Sequence, residues 1–310
     1  MTSPLEYFHK PVMVQEVLQL LNLCAGKVIV DCTVGGGGHT KEILKGIAPG
    51  GYLIGLDKDR EILEKTKSSL VDAGLLPADD ESQDRKTSSF YHTDYVNLEE
   101  VIDIAGKGSV DGILLDLGVS SMQLEAADRG FSFGKEGPLD MRMDRSSNVT
   151  AYDILKTVSL KELEHIIRKY GEDYRAKRIA TAIVQHRRKV GYIKTTTELS
   201  NVIKSVVPFS GKKINPATLT FQALRIVVND ELKNLEDLLN NIYKLLKKGG
   251  RIVVISFHSL EDRIVKNAFR NASEDGKLEI LTRKPLRPSR EEIRANPRSR
   301  SAKLRASERI

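Results

Sequence analysis

The sequence predicts an α/β protein in which an open, mostly parallel sheet with crossover helices carries a separate helical unit between its fourth and fifth strands. Three observations predict it. Short apolar runs alternate with helical stretches through the first third of the chain, a glycine-rich turn follows the first run, and about 135 residues separate the fourth run from the fifth.

The first strand is Val28–Cys32, which runs into Thr33-Val34-Gly35-Gly36-Gly37-Gly38-His39-Thr40 and a helical stretch from Lys41 to Leu44. Consecutive glycines let backbone approach a ligand closely. The second strand, Tyr52–Leu56, ends at Asp57, about where a dinucleotide-type fold places the acid that accepts from ribose hydroxyls. Thr40 stands where that fingerprint calls for a third glycine, which disfavours a pyrophosphate ligand. S-adenosylmethionine has a ribose and an adenine but no phosphate, so it needs the close turn and the acid without an anion-binding helix start. The plainer reading is a tight strand-to-helix turn with a solvated Asp57.

Ser89–Tyr91 and Gly112–Leu115 supply the third and fourth strands. The fifth, Arg251–Phe257, follows the helix stop Gly249-Gly250. The gap before it exceeds what one crossover needs, so an insert is expected from Gly137 to Val228, dividing the chain into 1–136, 137–228 and 229–310. Apolar residues at Phe221, Leu224, Val228, Leu232, Leu235, Leu239, Ile242 and Leu246 predict a helix that starts at Asn215-Pro216 and leads back into the sheet. Asn229-Asp230 is where it would break, and such a helix serves a homodimer as readily as a core. Pro77 to Ser89 reads as a surface loop. Leu278–Leu281 and Ala302–Arg305 read as a terminal hairpin at the sheet edge.

With 310 residues, 40% hydrophobic and 29% charged, the chain can bury a full core. No apolar run approaches the roughly 20 residues of a membrane helix, and the N-terminus lacks a secretory pattern, so a soluble cytoplasmic protein without membrane association is expected. Cys24 and Cys32 make neither a disulfide framework nor a zinc set, the six histidines are scattered, and no metal is expected. The net charge of +7 is uneven: Arg283–Arg309 holds ten basic residues against three acidic, and Arg168–Lys194 nine against two. Such clustering suggests a polyanion partner.

In an open α/β sheet, ligands lie outside the carboxyl ends of the strands. Asp57, Asp94-Tyr95, Asp116 and Ser256-Phe257-His258 therefore converge on one crevice. The segment DGILLDLGVSSMQLEAADRGFSFGKEGPLDMRMD from Asp111 holds more polar residues and glycines than packing would select. Together with His9-Lys10-Pro11-Val12, Gly37-Gly38-His39, GEDYRAKRIA from Gly171, Asn215-Pro216-Ala217-Thr218 with Phe221-Gln222-Ala223, SFHSLEDRIVK from Ser256 and NPRSRSAKLR from Asn296, it resembles the MraW/RsmH family of ribosomal small-subunit RNA methyltransferases. The motifs fall in the family's order over nearly the whole chain.

The resemblance implies a Rossmann-like class I S-adenosylmethionine-dependent methyltransferase sheet with an inserted helical domain. It implies S-adenosyl-L-methionine as cofactor and 16S ribosomal RNA, within the small ribosomal subunit, as substrate. It further implies methylation of the exocyclic N4 amine of a decoding-centre cytidine. Carried over residue by residue, the cofactor contacts fall on Gly37, Gly38, His39, Asp57, Tyr95, Asp116 and Gln123. The plainer readings are a helix-start residue at the surface for His39 and a core aromatic for Tyr95.

The cytosine amine is a poor nucleophile, so catalysis is mostly alignment plus an acceptor for its proton. DNA enzymes acting on the same amine carry Ser/Asp-Pro-Pro-aromatic after strand four, whereas this chain has Asp116-Leu117-Gly118-Val119. The expectation is that Phe131, Phe133 or Phe257 stacks on a flipped cytosine and that Asp116, Asp140 or His258 accepts. Core packing is the alternative for Phe131 and Phe133. Arg129, Arg142, Arg175, Lys177, Arg178, Arg187, Arg188, Arg298 and Arg300 are the candidate RNA contacts. A nicotinamide dehydrogenase would share the fold but needs the third glycine and a hydride-handling site. A non-catalytic RNA-binding or assembly factor differs only in lacking methyl transfer.

Overall fold

The computed structural model describes residues 11–77, 87–207 and 215–310. They form two compact units, one made of the chain up to Ser120 with Leu232–Ile310, the other of Ser121–Glu231. His9, Lys10 and most of the expected loop from Pro77 to Ser89 lie outside the described residues.

The first unit is built on a seven-stranded sheet: β1 (Val28–Asp31), β2 (Tyr52–Asp57), β3 (Ser88–His92), β4 (Val110–Asp116), β5 (Leu246–Ser256), β6 (Leu278–Ile280) and β7 (Lys303–Arg309). Their order is β3-β2-β1-β4-β5-β7-β6. The first five strands are mutually parallel, and β7 runs antiparallel between β5 and β6. The pairing expected of the two terminal extended segments is therefore present, with β7 inserted inside β6. β5 begins five residues ahead of the expected Arg251, with an irregular register beside Val110 that accommodates Gly249-Gly250.

Strand residues alternate between two apolar layers because successive side chains point to opposite faces. Val30, Ile54, Ile113, Leu115, Ile252 and Val254 pack against α4 (Leu98–Ile104), α11 (Glu231–Leu245) and α12 (Ser259–Glu274). Ile29, Leu53, Leu114, Val253 and Ile255 pack against α1 (Val14–Leu21), α2 (Gly38–Ile47) and α3 (Arg60–Asp72). Burial on both faces explains why these strands read as continuous apolar runs. No helix among the described residues is long and apolar enough to cross a membrane.

The second unit contains α5 (Ser121–Glu125), α6 (Ala151–Thr157), α7 (Leu160–Gly171), α8 (Ala176–Lys189), α9 (Thr196–Val206) and α10 (Thr218–Asn229). Capping boxes start α6 at Thr150/Asp153 and α7 at Ser159/Glu162, each satisfying two end groups reciprocally. Gly171 lets α10 approach closely: a Cβ there would lie 2.6 Å from the Leu219 carbonyl oxygen. Residues 121–136, expected in the first part of the sheet domain, belong to this unit. The Met141 amide donates to the Arg129 carbonyl at 3.0 Å, and the Phe133 ring meets Phe221 edge-on at 5.7 Å.

The long helix expected from Asn215 is two helices. Asp230 adopts a left-handed conformation (φ 53°) that ends α10, and α11 follows. The first begins at Thr218 rather than Pro216, since the Asn215 side chain accepts from Ala217 N in a turn ahead of the helix.

Candidate active site

The strand order reverses between β1 and β4, and in such sheets this switch point opens a crevice at the strands' carboxyl ends. Asp31, Asp57 and Asp116 are the final residues of β1, β2 and β4. The glycine-rich loop crosses this edge between β1 and α2.

The loop is tied from both sides. Gly35 N donates to Asp57 Oδ2 at 2.7 Å, and Thr66 Oγ1 of α3 donates to the Gly35 carbonyl at 2.6 Å. Asp59 N donates to Asp57 Oδ1 at 2.8 Å. Each Asp57 oxygen thus takes one protein donor and retains a second lone pair for a ligand hydroxyl. Gly37 initiates α2 at φ 76°, and a Cβ there would sit 2.6 Å from Thr66 Cγ2. A Cβ on Gly38 would meet Pro11 Cγ at 2.8 Å, so that glycine is required by packing.

Asp31 is fully buried, accepts from Thr33 N at 3.1 Å and takes the Thr40 hydroxyl at 2.7 Å. Thr33 Oγ1 in turn accepts from Asp116 N at 2.7 Å. The threonine in place of a third glycine therefore binds the acid at the end of β1. Asp31 is not among the expected site residues, although the strand-end rule that selects Asp57 and Asp116 selects it too. His39, on the first turn of α2, is 5% exposed, with Nε2 at 3.6 Å from Asp116 Oδ2. Its surface reading does not hold. Asp116 Oδ1 is buried with no hydrogen-bond partner among the described residues.

Burial pushes the Asp116 carboxyl up to about 8, with Asp31 and Glu261 adding to the rise. It pushes Asp57 up to about 7 and Asp31 to about 6, against the hydrogen bonds that favour their charged forms. A ligand with positive charge relieves this concentration of carboxyls, whereas a phosphate adds to it. The site thus fits a phosphate-free nucleoside bearing a cationic centre.

Asp94 accepts from Val96 N, pairs with Lys58 at 2.8 Å and receives Asn234 Nδ2 at 2.8 Å, which fixes the turn starting at Tyr95. Tyr95 is partly buried and packs on the core cluster. Phe257 packs partly buried on the opposite layer. His258 caps α12: its Nδ1 accepts from Glu261 N at 3.3 Å, and Nε2 lies 3.1 Å from Glu261 Oε1. Both ring nitrogens therefore face its own helix start. Arg298 and Arg300 lie exposed on the turn Pro297–Ser301, anchored by buried Ser299.

Gln123 and Asp140 belong to the second unit. Gln123 is buried on α5. Asp140 is locked in a fork: Oδ1 takes Arg142 N and Nε at 3.0 and 2.7 Å, and Oδ2 takes Nη2 at 2.8 Å. Burial raises the Asp140 carboxyl, but the bonds and charge of Arg142 outweigh it and hold it below the usual range.

Several expected RNA contacts are structural. Arg129 is buried and donates Nη2 to the carbonyls of Arg142 and Met143. Arg142 is spent on Asp140, and Arg175 forms the same fork with buried Asp173. Arg187 donates to the Leu155 and Val158 carbonyls at the end of α6. Phe131 is buried, and Phe133 is half-buried and packs on Phe221. Lys177, Arg178 and Arg188 are exposed. The sequence could not separate these classes, since a buried and an exposed arginine read alike.

The family model described as the MraW methylase family matches residues 6–310. The chain belongs to the MraW methylase family. It is 46% identical over 320 residues to ribosomal RNA small subunit methyltransferase H of Syntrophus aciditrophicus (strain SB), covering 98% of each chain. It is 49% identical to the protein of the same name from Thermotoga neapolitana (strain ATCC 49049 / DSM 4359 / NBRC 107923 / NS-E), covering 97% of this chain and 96% of that one. Membership makes this MraW chain a methyltransferase with S-adenosylmethionine as cofactor, in accord with the three strand-end carboxyls.

Proposed function

We propose that this chain methylates the exocyclic N4 amine of a cytidine in the decoding centre of 16S ribosomal RNA, presented within the small ribosomal subunit. Relatives across the whole chain are named as small-subunit RNA methyltransferases, which supports the RNA class. The observation that carries the amine chemistry is Asp116: a carboxyl at the end of β4, raised to about 8, with Oδ1 buried and without a hydrogen-bond partner among the described residues. An amine proton is what such an oxygen accepts.

In this reading the backbone of Gly35 to His39 forms the floor of the cofactor site, with Gly37 and Gly38 fixing its path. Asp57 holds the ribose hydroxyls with its remaining lone pairs, and Tyr95 lies against adenine. Gln123 is assigned to the same cofactor. S-adenosylmethionine supplies a methyl group activated by its sulfonium. Asp116 Oδ1 orients the amine, localises its lone pair and takes the proton that nitrogen sheds, while His39 positions that carboxylate. His258 and Asp140 act as positioning groups, the first by starting α12 and the second through Arg142, whose Nη1 ties down the Arg145 and Ser147 carbonyls. Of the stacking candidates Phe257 keeps this role. Lys177, Arg178, Arg298 and Arg300 meet phosphates.

The test is nucleoside mass spectrometry of small-subunit particles from cells lacking this activity, incubated with the protein and S-adenosylmethionine. N4-methylcytidine in that RNA is the expected product. Its absence, with cofactor binding verified, would leave a binding or assembly factor.

A further inference from the structure

The segment from Arg187 to Tyr192 runs along the whole of α6. At one end Arg187 donates Nη1 and Nη2 to the Leu155 and Val158 carbonyls at 2.6 and 2.9 Å. At the other, Tyr192 meets Tyr152 of the first turn of α6 edge-on, with ring centroids 6.3 Å apart and planes at 76°. Lys156 Nζ lies over both rings, 5.8 Å from the Tyr152 centroid and 5.7 Å from that of Tyr192. Tyr192 is nevertheless 47% exposed and Val190 73% exposed. Arg188 and Lys189 are exposed beside them and form no ion pair among the described residues. The neighbouring acids are engaged: Asp153 caps α6, and Glu198 faces His186 and receives Lys194 N.

A helix C-terminus attracts cations, which by itself accounts for a basic last turn in α8. It does not account for an exposed Tyr192 set against a half-buried Tyr152 with a lysine over both rings. Aromatic faces that are held in place and flanked by cations are what unpaired nucleobases and their phosphates require.

We propose that Tyr192, set by Tyr152 and Lys156 and flanked by Arg188, Lys189 and Val190, is a stacking platform for an unpaired base of the RNA. The proposal rests on the RNA-substrate reading above. It adds a binding subsite carried by the second unit alone.

The test titrates the full chain with a fluorescein-labelled ten-residue oligouridylate at several salt concentrations. Y192A is expected to weaken binding about tenfold, as loss of one stacked base does, and Y192F to stay within about twofold of wild type. The triple variant K156A/R188A/K189A is expected to flatten the slope of log affinity against log salt by about two. Affinity for S-adenosylmethionine stays unchanged, and on particles Y192A raises KM while keeping kcat. Wild-type binding by Y192A, or equal losses in Y192A and Y192F, would overturn the platform. A defect confined to particles, with the oligonucleotide bound normally, would assign the patch to a protein partner. Should Y192A melt early, cross-linking of the wild type with 4-thiouridine RNA decides: a cross-link in the Tyr192 peptide supports the platform, and cross-links only elsewhere reject it. Methylcytidine formation by the wild type is scored separately, so a failed substrate reading is distinguishable from a failed platform.

Discussion

Gly35 N donates to Asp57 Oδ2 at 2.7 Å, so the acid at the end of β2 closes the glycine loop before any ligand arrives. Its second oxygen receives Asp59 N, the cap of α3. One carboxylate thus positions two backbone turns. Asp57→Ala removes both acceptors and the ribose contact; charge-assisted bonds of about 1.5–3 kcal/mol imply cofactor affinity lower by roughly 10- to 100-fold. Titration calorimetry with S-adenosylmethionine measures it, and an unchanged affinity would reject the ribose role of Asp57.

The strand-end carboxyls also set a pH dependence. Asp116, Asp57 and Asp31 lie at about 8, 7 and 6 in the folded chain against an ordinary 3.8, so the native state binds more protons than the unfolded state in between. Stability without cofactor therefore falls as pH rises from about 4 to about 8. A cationic cofactor favours the ionised carboxyls, so its binding releases protons and tightens with pH up to about 8. S-adenosylhomocysteine, which lacks the sulfonium charge, gives a shallower profile. Calorimetry in buffers of different ionisation enthalpy counts the protons; zero release at pH 7 for both ligands would contradict the electrostatic account.

Asp140 and Asp173 form matched forks with arginines two residues later, which allows a controlled comparison. Asp140→Asn and Asp173→Asn each weaken a charge-assisted fork and are expected to lower stability by about 2 kcal/mol. Only Asp140→Asn is expected to slow methyl transfer sharply, with cofactor affinity near that of wild type. Urea melts and single-turnover rates separate the effects. Equal turnover in the two variants would reduce Asp140 to a folding role.

Gly37 carries two separable constraints, a left-handed φ of 76° and the approach of Thr66 Cγ2. Gly37→Ala is expected to cost about 1–2 kcal/mol from the backbone term plus the clash. Combining it with Thr66→Ser removes the methyl while keeping a hydroxyl for the Gly35 carbonyl, and restores only the steric part. Thermal melts of the single and double variants test this, and full rescue would show that backbone conformation contributes little.

The chain by itself determined the sheet, its strand ends and the presence of a helical insert. Those features follow from local pattern: apolar runs buried on both faces, a glycine turn after the first, and a gap too long for one crossover. Asp57, Asp116 and the loop were legible because position at a strand's carboxyl end is a property of sequence order. Asp230 was legible as a break for a related reason, since Asn-Asp interrupts an otherwise regular apolar repeat.

Tertiary structure decided what each polar residue is for. Arg129, Arg142, Arg175 and Arg187 share one letter with Arg178 and Arg300, yet the first four are spent on carbonyls and carboxylates inside the fold. Thr33, Thr66 and His258 acquire roles through partners that only folding brings near or through a cap geometry that composition does not encode. The same holds for the raised carboxyls, because desolvation depends on which other acids and apolar side chains the sheet brings beside them. A sequence lists donors and acceptors; burial and distance decide which of them remain available for a ligand.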